Sequence, residues 1–253
     1  MRNTFWRLLI LGCWSWLSIA SAAERLRIAT EGDYPPFSFT NPQGQLAGFD
    51  VDIAQELCRH LEKDCTIVAI PWNGLLPGLA AGDYAMIVAS MAKTPEREQQ
   101  AEFTDPYYRT RNVFIGRHDL GLTQVSPETV RGKTLATQAG TIYADYLQQH
   151  YPAATLKLTA TITEAFAALS RGEVALVLID NLSAFEFLRS SAGRELDFIG
   201  PPLAIDETNE AAYIQVRKGD LALRDQVNAA LRALWLDGTY HRINARYFPF
   251  SIY

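Results

Sequence analysis

Common catalytic signatures are missing from the 253 residues: there is no G-x-S-x-G elbow, no G-x-x-x-x-G-K-[ST], no dinucleotide fingerprint and no H-E-x-x-H. Their absence removes the local marks of a serine hydrolase, a P-loop enzyme, a nicotinamide or flavin site and a zinc protease. It does not exclude a site assembled from distant segments. Histidine is scarce, and His60, His118, His150 and His241 are scattered, so no metal site is expected and no cofactor is implied. Basic residues are outnumbered, 23 Lys+Arg against 28 Asp+Glu. That balance argues against a nucleic-acid or anionic-membrane surface. Long apolar runs are absent beyond the first twenty residues.

That first run reads as a secretory leader. Arg2 and Arg7 form a basic start, Leu8 to Ile19 a short apolar core, and Ala20-Ser21-Ala22 the small residues before a cut at Ala22-Ala23. The core is too short and too rich in serine for a comfortable membrane span. Cys13 follows "ILG", a faint resemblance to a lipoprotein cleavage site, but too little apolar sequence precedes it. The leader carries Arg2, Arg7 and no acid, so the mature chain keeps 28 acidic residues against 21 basic ones, a net charge of −7. A soluble, exported product of one large domain or two modest lobes is expected.

Two cysteines remain in the mature chain, Cys58 and Cys65 in "ELCRHLEKDC". In an exported protein a disulfide is the default, with two free buried thiols the alternative. In one unbroken helix the two would lie about 10 Å apart along the axis, too far to bridge. A bond therefore requires the helix to end near Leu61–Asp64, with Cys65 opening the next strand.

Strand-like and helix-like segments alternate, as in an α/β protein. "LRIAT", "CTIVAI", "YAMIVAS", "NVFIGR", "KTLATQ", "TLKLT", "VALVLI" and "AAYIQVRKG" read as strands. Helices are expected from Asp50, as cap, through Val51, Ala54, Leu57, Cys58 and Leu61, and in "IYADYLQQH", "ITEAFAALSRG" and "NLSAFEFLRSS", with two more closing the chain. In open α/β sheets ligands collect at the carboxyl ends of strands. Three notable loops fall there: Glu31–Phe37, Ala89–Thr94 and Asp180.

These loops hold a complementary set for a zwitterion. Thr94-Pro95-Glu96 opens like a helix, yet Arg97 follows inside the first turn, where the dipole disfavours a cation. A carboxylate gripped jointly by Arg97 and the helix end gives that placement a purpose; an arginine facing solvent between Glu96 and Glu98 is the plain alternative. Asp180 is either a simple N-cap or the partner of an ammonium. Gly140-Thr141 offers a second strand-to-helix turn for an anion. Tyr34, Phe37 and Trp72 are aromatics in or beside loops, and Glu31 is either a surface acid or the partner of a cation.

The stretches "IATEGDYPPFSF", "GQLAGFDVDIAQELC", "IPWNGLLPGLAAGDYAMIVASM", "TPERE" and "FTDPYY", with the ending "DGTYHRINARYFPFSIY", resemble the polar-amino-acid family of periplasmic binding proteins of ABC importers. The likeness runs in order along the mature chain. It is greatest to the lysine/arginine/ornithine- and histidine-binding members, which share the close cysteine pair. The resemblance implies a type 2 fold: two α/β lobes, each a mixed sheet flanked by helices, joined by two crossing strands. Lobe one would hold residues 24–110 plus 212–253 and lobe two residues 113–206, with hinges near 109–112 and 207–211. It also implies a monomer that captures a free L-amino acid in the cleft and presents it to a membrane permease. Arg97 would grip the α-carboxylate with help from Ser90, Thr141 and Ile142. Asp180 would hold the α-ammonium, Tyr34 and Trp72 would sandwich the side chain, and Glu31 would face its far end.

The chain departs from these relatives at Ala89-Ser90-Met91-Ala92, where two ligand-facing hydroxyls are lost, and at Ile142, which keeps only its N–H. Glu31 favours a cationic ligand (arginine, lysine, ornithine or histidine) by charge, and cation–π contact with Tyr34 or Trp72 would add to it. Asp33 is either further negative charge at the cleft mouth or a turn residue. The competing readings are a periplasmic enzyme on the same fold, such as a cyclohexadienyl dehydratase, and a ligand-sensing partner of a receptor.

Overall fold

The computed structural model describes residues 25–203, 205 and 210–253. The expected leader and most of the second expected hinge lie outside them. The elements are β1 (Leu26–Thr30), β2 (Asp33–Tyr34), β3 (Ser38–Thr40), β4 (Leu46–Ala47), α1 (Phe49–His60), β5 (Cys65–Ala69), α2 (Leu75–Ala81), β6 (Met86–Met91), α3 (Pro95–Glu98) and β7 (Ala101–Arg109). Next come β8 (Asn112–Arg117), β9 (Thr134–Gln138), α4 (Ile142–His150), β10 (Thr155–Thr159), α5 (Ile162–Ser170), β11 (Leu176–Asp180), α6 (Asn181–Arg189) and β12 (Leu196–Leu203). The chain closes with β13 (Ala211–Arg217), α7 (Leu221–Leu236) and α8 (Thr239–Tyr247).

Two five-stranded mixed sheets organise these elements, in the orders β5-β1-β6-β13-β7 and β10-β9-β11-β8-β12. Each has a parallel half and an antiparallel half. The central strands β6 and β11 are buried almost throughout, which is why they read as near-continuous apolar runs. One core forms where α1, α7 and α8 cover the first sheet, around Phe49, Leu57, Met86 and Ile214. A second forms around Leu135, Phe166, Leu176 and Leu178. The chain leaves the first sheet after Arg109, enters the second at Asn112, and returns between Leu203 and Ala211. "FTDPYY" is wholly strand. Its Pro106 sits on edge strand β7, where a missing donor is tolerated, and the register to β13 shifts beside it.

The start of α1 differs from the sequence expectation. Its N-cap is Gly48, not Asp50, and no side chain caps it. The first-turn amides are taken by the preceding loop, Phe49 N–H by the Pro36 carbonyl at 3.0 Å and Asp50 N–H by that of Phe37 at 2.8 Å. Gly48 has φ 124°, and a Cβ there would overlap the Phe37 carbonyl, so only glycine lets the loop approach this closely. Asp50 is thereby freed from capping and turns into the core. At the other end Glu62 takes a left-handed backbone, with Glu62 N–H on the Arg59 carbonyl and Lys63 N–H on the Cys58 carbonyl. This Schellman turn reverses the chain, β5 opens at Cys65, and Cys58 and Cys65 are disulfide-bonded with Cα atoms 6.1 Å apart.

Candidate functional site

The carboxyl ends of β1, β6, β9 and β11 meet in one cleft between the lobes, and Glu31, Tyr34, Trp72, Ser90, Arg97, Thr141, Ile142 and Asp180 all line it. The cleft is narrow, with about 40 Å³ open to the centres of water-sized spheres.

Asp180 ends β11 and caps α6. It is 2% exposed, and its Oδ1 accepts from the amides of Leu182 and Ser183, each at 2.9 Å. Its other oxygen accepts from the Tyr34 hydroxyl of the opposite lobe at 2.5 Å. The two sequence readings of Asp180, cap and cleft acid, are therefore compatible in one side chain. Burial raises its pKa, while the Tyr34 hydroxyl and the two amides oppose the shift. Thr110, which follows β7, donates to Asn181 Oδ1 at 2.8 Å, so the crossover is fastened to the same helix start.

Glu31 follows β1 and is 7% exposed. Burial pushes its carboxyl up to about 7, helped by the nearby charges of Asp33 and Asp50 and opposed by a bond from the Gln138 amide. Gln138, the last residue of β9, was not among the residues expected from sequence. The strand-end rule that drew attention to Gly140-Thr141 points to it equally well. Asp33 accepts from Thr163 of α5 at 2.7 Å, a further bond across the cleft.

Arg97 sits on α3, which is only four residues long, so the dipole conflict is small. Thr94 caps that turn by accepting from Arg97 N–H at 3.3 Å, with Pro95 at its first position. The guanidinium donates to the Ala92 carbonyl at 2.8 Å and the Gly140 carbonyl at 3.2 Å, and lies 5.3 Å over the Trp72 ring. Trp72 Nε1 donates to the same Gly140 carbonyl at 2.8 Å. Among the described residues no carboxylate lies within ion-pair distance of Arg97. Loss of water lowers its pKa to about 10, so it is charged at neutral pH. Facing it, Thr141 caps α4, accepting from Ala144 N–H at 3.3 Å and donating to the Gln138 carbonyl at 2.7 Å. The amides of Ile142 and Tyr143 open this nine-residue helix and by position lack an intrahelical acceptor.

Ser90 departs from a simple hydroxyl donor to the cleft. Its Oγ donates to Asp50 at 2.8 Å, and its N–H donates to the Tyr107 hydroxyl at 3.0 Å. Sequence reasoning also missed Tyr143 and Thr110 among the cleft residues.

Residues 26–250 match the model of the bacterial extracellular solute-binding proteins, family 3. The chain belongs to that family. It is 34% identical over 237 residues to the L-arginine-binding protein of Pseudomonas aeruginosa, covering 92% of this chain and 91% of that one. Its fold is similar to an ancestral arginine-binding protein bound to arginine, with TM-score 0.82 and 28% identity over 88% of this chain and 98% of the other. It is also similar to an ancestral amino acid-binding protein described as a precursor of cyclohexadienyl dehydratase, with TM-score 0.79 and 29% identity over 88% and 95% of the two chains. These relatives place the chain among periplasmic binding proteins of type 2 fold.

Proposed function

We propose that this protein is the periplasmic solute-binding component of an ABC importer and captures a free L-amino acid with a cationic side chain, arginine foremost. One observation carries the reading: a charged guanidinium, without a carboxylate partner among the described residues, shares a narrow cleft with two buried carboxyls, Glu31 and Asp180. Arg97 and the α4 amides at Ile142 and Tyr143 suit an α-carboxylate. Asp180 suits the α-ammonium, and that pair leaves Glu31 as surplus negative charge for a side-chain cation. Tyr34 and Trp72 flank the bound side chain; Thr141 holds the helix end in place, and Ser90 shapes the floor.

We propose that lobe one holds residues 24–110 plus 212–253 and lobe two 113–206, with hinges near 109–112 and 207–211. The division is supported by the strand membership of the two sheets. Ligand bridges the lobes and shifts the population toward the closed form, which the permease reads. Leader cleavage delivers a monomer to the periplasm. Simple capture is favoured over catalysis because the cleft acids have complete binding assignments, leaving none set against a leaving group.

The test is calorimetric titration of the refolded, ligand-stripped mature protein with arginine, lysine, ornithine, histidine, glutamine and glutamate, with R97A alongside. Binding of the cationic set, weakened at least about 100-fold in R97A, supports the reading. Preference for neutral or acidic amino acids overturns the specificity. No binding at all, with turnover of prephenate or arogenate, overturns the transport role.

A further inference from the structure

Asp50 is fully buried and belongs to no ion pair among the described residues. Its two oxygens each accept a hydroxyl: Tyr107 Oη at 2.7 Å and Ser90 Oγ at 2.8 Å. Tyr107 Oη in turn accepts from the Ser90 amide at 3.0 Å. Three hydrogen bonds thus close a ring around Ser90, with a carboxylate at its base and a serine at the cleft wall.

Ser90 is held at φ 54°. Side-chain-bearing residues rarely adopt this left-handed conformation, and where they do the surroundings enforce it. It falls in β6, one residue before the strand ends. The register to β13 slips there, Ile87 facing Gln215 while Met91 faces Tyr213, so β6 bulges outward at Val88–Ser90. Such bulges re-aim the chain that follows. That chain carries Ala92, whose carbonyl anchors the Arg97 guanidinium at 2.8 Å.

We propose that Asp50 is a positioning residue for the binding cleft: with Tyr107 it locks Ser90 in its left-handed backbone, and the resulting bulge sets the Ala92 carbonyl that aims Arg97. The inference deepens the proposed capture of an amino acid and rests on it for its effect on affinity. A carboxylate is required because both neighbours donate. The Tyr107 hydroxyl already accepts from the Ser90 amide, so its proton must go to Asp50, and the Ser90 hydroxyl has the same need. Asparagine would turn an N–H donor toward one of them. The loop carbonyls of Pro36 and Phe37 make the arrangement feasible by capping α1 in place of this side chain.

The experiment pairs crystal structures with arginine titration for wild type, D50N, Y107F, S90G and D50N/S90G. Wild type is expected to show Ser90 near φ 54°, and D50N and Y107F to move it to negative φ. Both single variants are expected to weaken arginine binding about 10-fold or more. Glycine adopts positive φ without a lock, so in the S90G background D50N is expected to change Kd less than about threefold. A purely structural role for Asp50 would weaken binding equally in both backgrounds, and that result overturns the proposal. Ser90 keeping its left-handed backbone in D50N and Y107F crystals also overturns it. Should wild type bind no amino acid, the functional reading fails while the crystal structures still decide the lock. Y107F keeps the question decidable if D50N does not fold.

Discussion

The two walls of the cleft are built by different means. In lobe two a side chain caps each of the α-helices α4, α5 and α6, at or just after the end of the strand before it. Thr141 accepts from Ala144 N–H, Thr161 from Glu164 N–H, and Asp180 from Leu182 and Ser183 N–H. In lobe one the working residues stand on irregular backbone: Glu31 precedes Gly32 at φ 83°, Ser90 is left-handed, and Arg97 rides a four-residue turn. Lobe two therefore positions its groups by local rules that also stabilise its helices. Lobe one holds Ser90 by a distant contact with Asp50, while Thr94 caps the short Arg97 turn locally. Function and stability are coupled in the first case and separable in the second.

The sharpest way to break this comparison is at Asp180. D180A removes both the charge and the cap, so arginine binding should weaken at least about 100-fold, and stability should fall by about 1–2 kcal/mol. D180N keeps a good capping oxygen, so calorimetry should show the same loss of binding with stability changed by only a few tenths of a kcal/mol. Equal destabilisation by the two variants would show that the cap is not what Asp180 contributes to α6.

A second contrast lies at Glu31, whose role is expected to be purely functional. E31Q should weaken arginine binding about 10- to 100-fold while leaving glutamine nearly unchanged. The carboxyl is raised from 4.5 to about 7 by burial. It therefore favours folding while protonated, fully below about pH 4.5, and loses that contribution as pH rises through 7. The amount is on the order of 3 kcal/mol for such a shift. Asp50, also raised to about 7 by burial, acts in the same sense. Ligand-free wild type should accordingly lose thermal stability between pH 5 and 8, and E31Q should lose less. A bound cation prefers the ionised carboxylate, so arginine affinity should rise between pH 6 and 8 in wild type and stay flatter in E31Q. A slope unchanged in E31Q would move the effect to another group.

The smallest effect is expected at the rim. T163V removes the bond to Asp33, whose donor is exposed. An exposed hydrogen bond is worth at most about 1 kcal/mol, so arginine affinity should fall no more than about fivefold. A larger loss in titration would make this contact a main determinant of closure.

The same division explains what the sequence revealed. Lobe two was legible because its junctions are written within a few residues: an apolar strand, then Thr or Asp, then a periodic helix. Cys58 and Cys65 were legible because seven residues leave few geometries that bridge them. The alternation of elements likewise made the α/β architecture readable. Asp50 shows the limit. An aspartate just before an apolar-periodic run is the usual mark of a cap, and only the loop returning over Gly48 releases it for the core. Gln138 meets Glu31 across 107 positions of chain, a distance no local pattern spans. The family resemblance supplied the assignments for Arg97 and Asp180 that physics alone had left divided between solvent, cap and ligand.

The shared bond to the Gly140 carbonyl has an optical consequence. Of five tryptophans, Trp6, Trp14 and Trp16 lie in the expected leader, leaving Trp72 and Trp235 in the mature chain. Trp72 spans the cleft with its indole N–H on lobe two and a guanidinium over its ring, whereas Trp235 sits on α7, 40% exposed and outside the cleft. Replacing Trp235 with phenylalanine would leave a single emitter at the meeting point of the lobes. The protein thus carries its own fluorophore where the two walls meet, so the proposed opening and closing would be followed by its emission without attaching a dye.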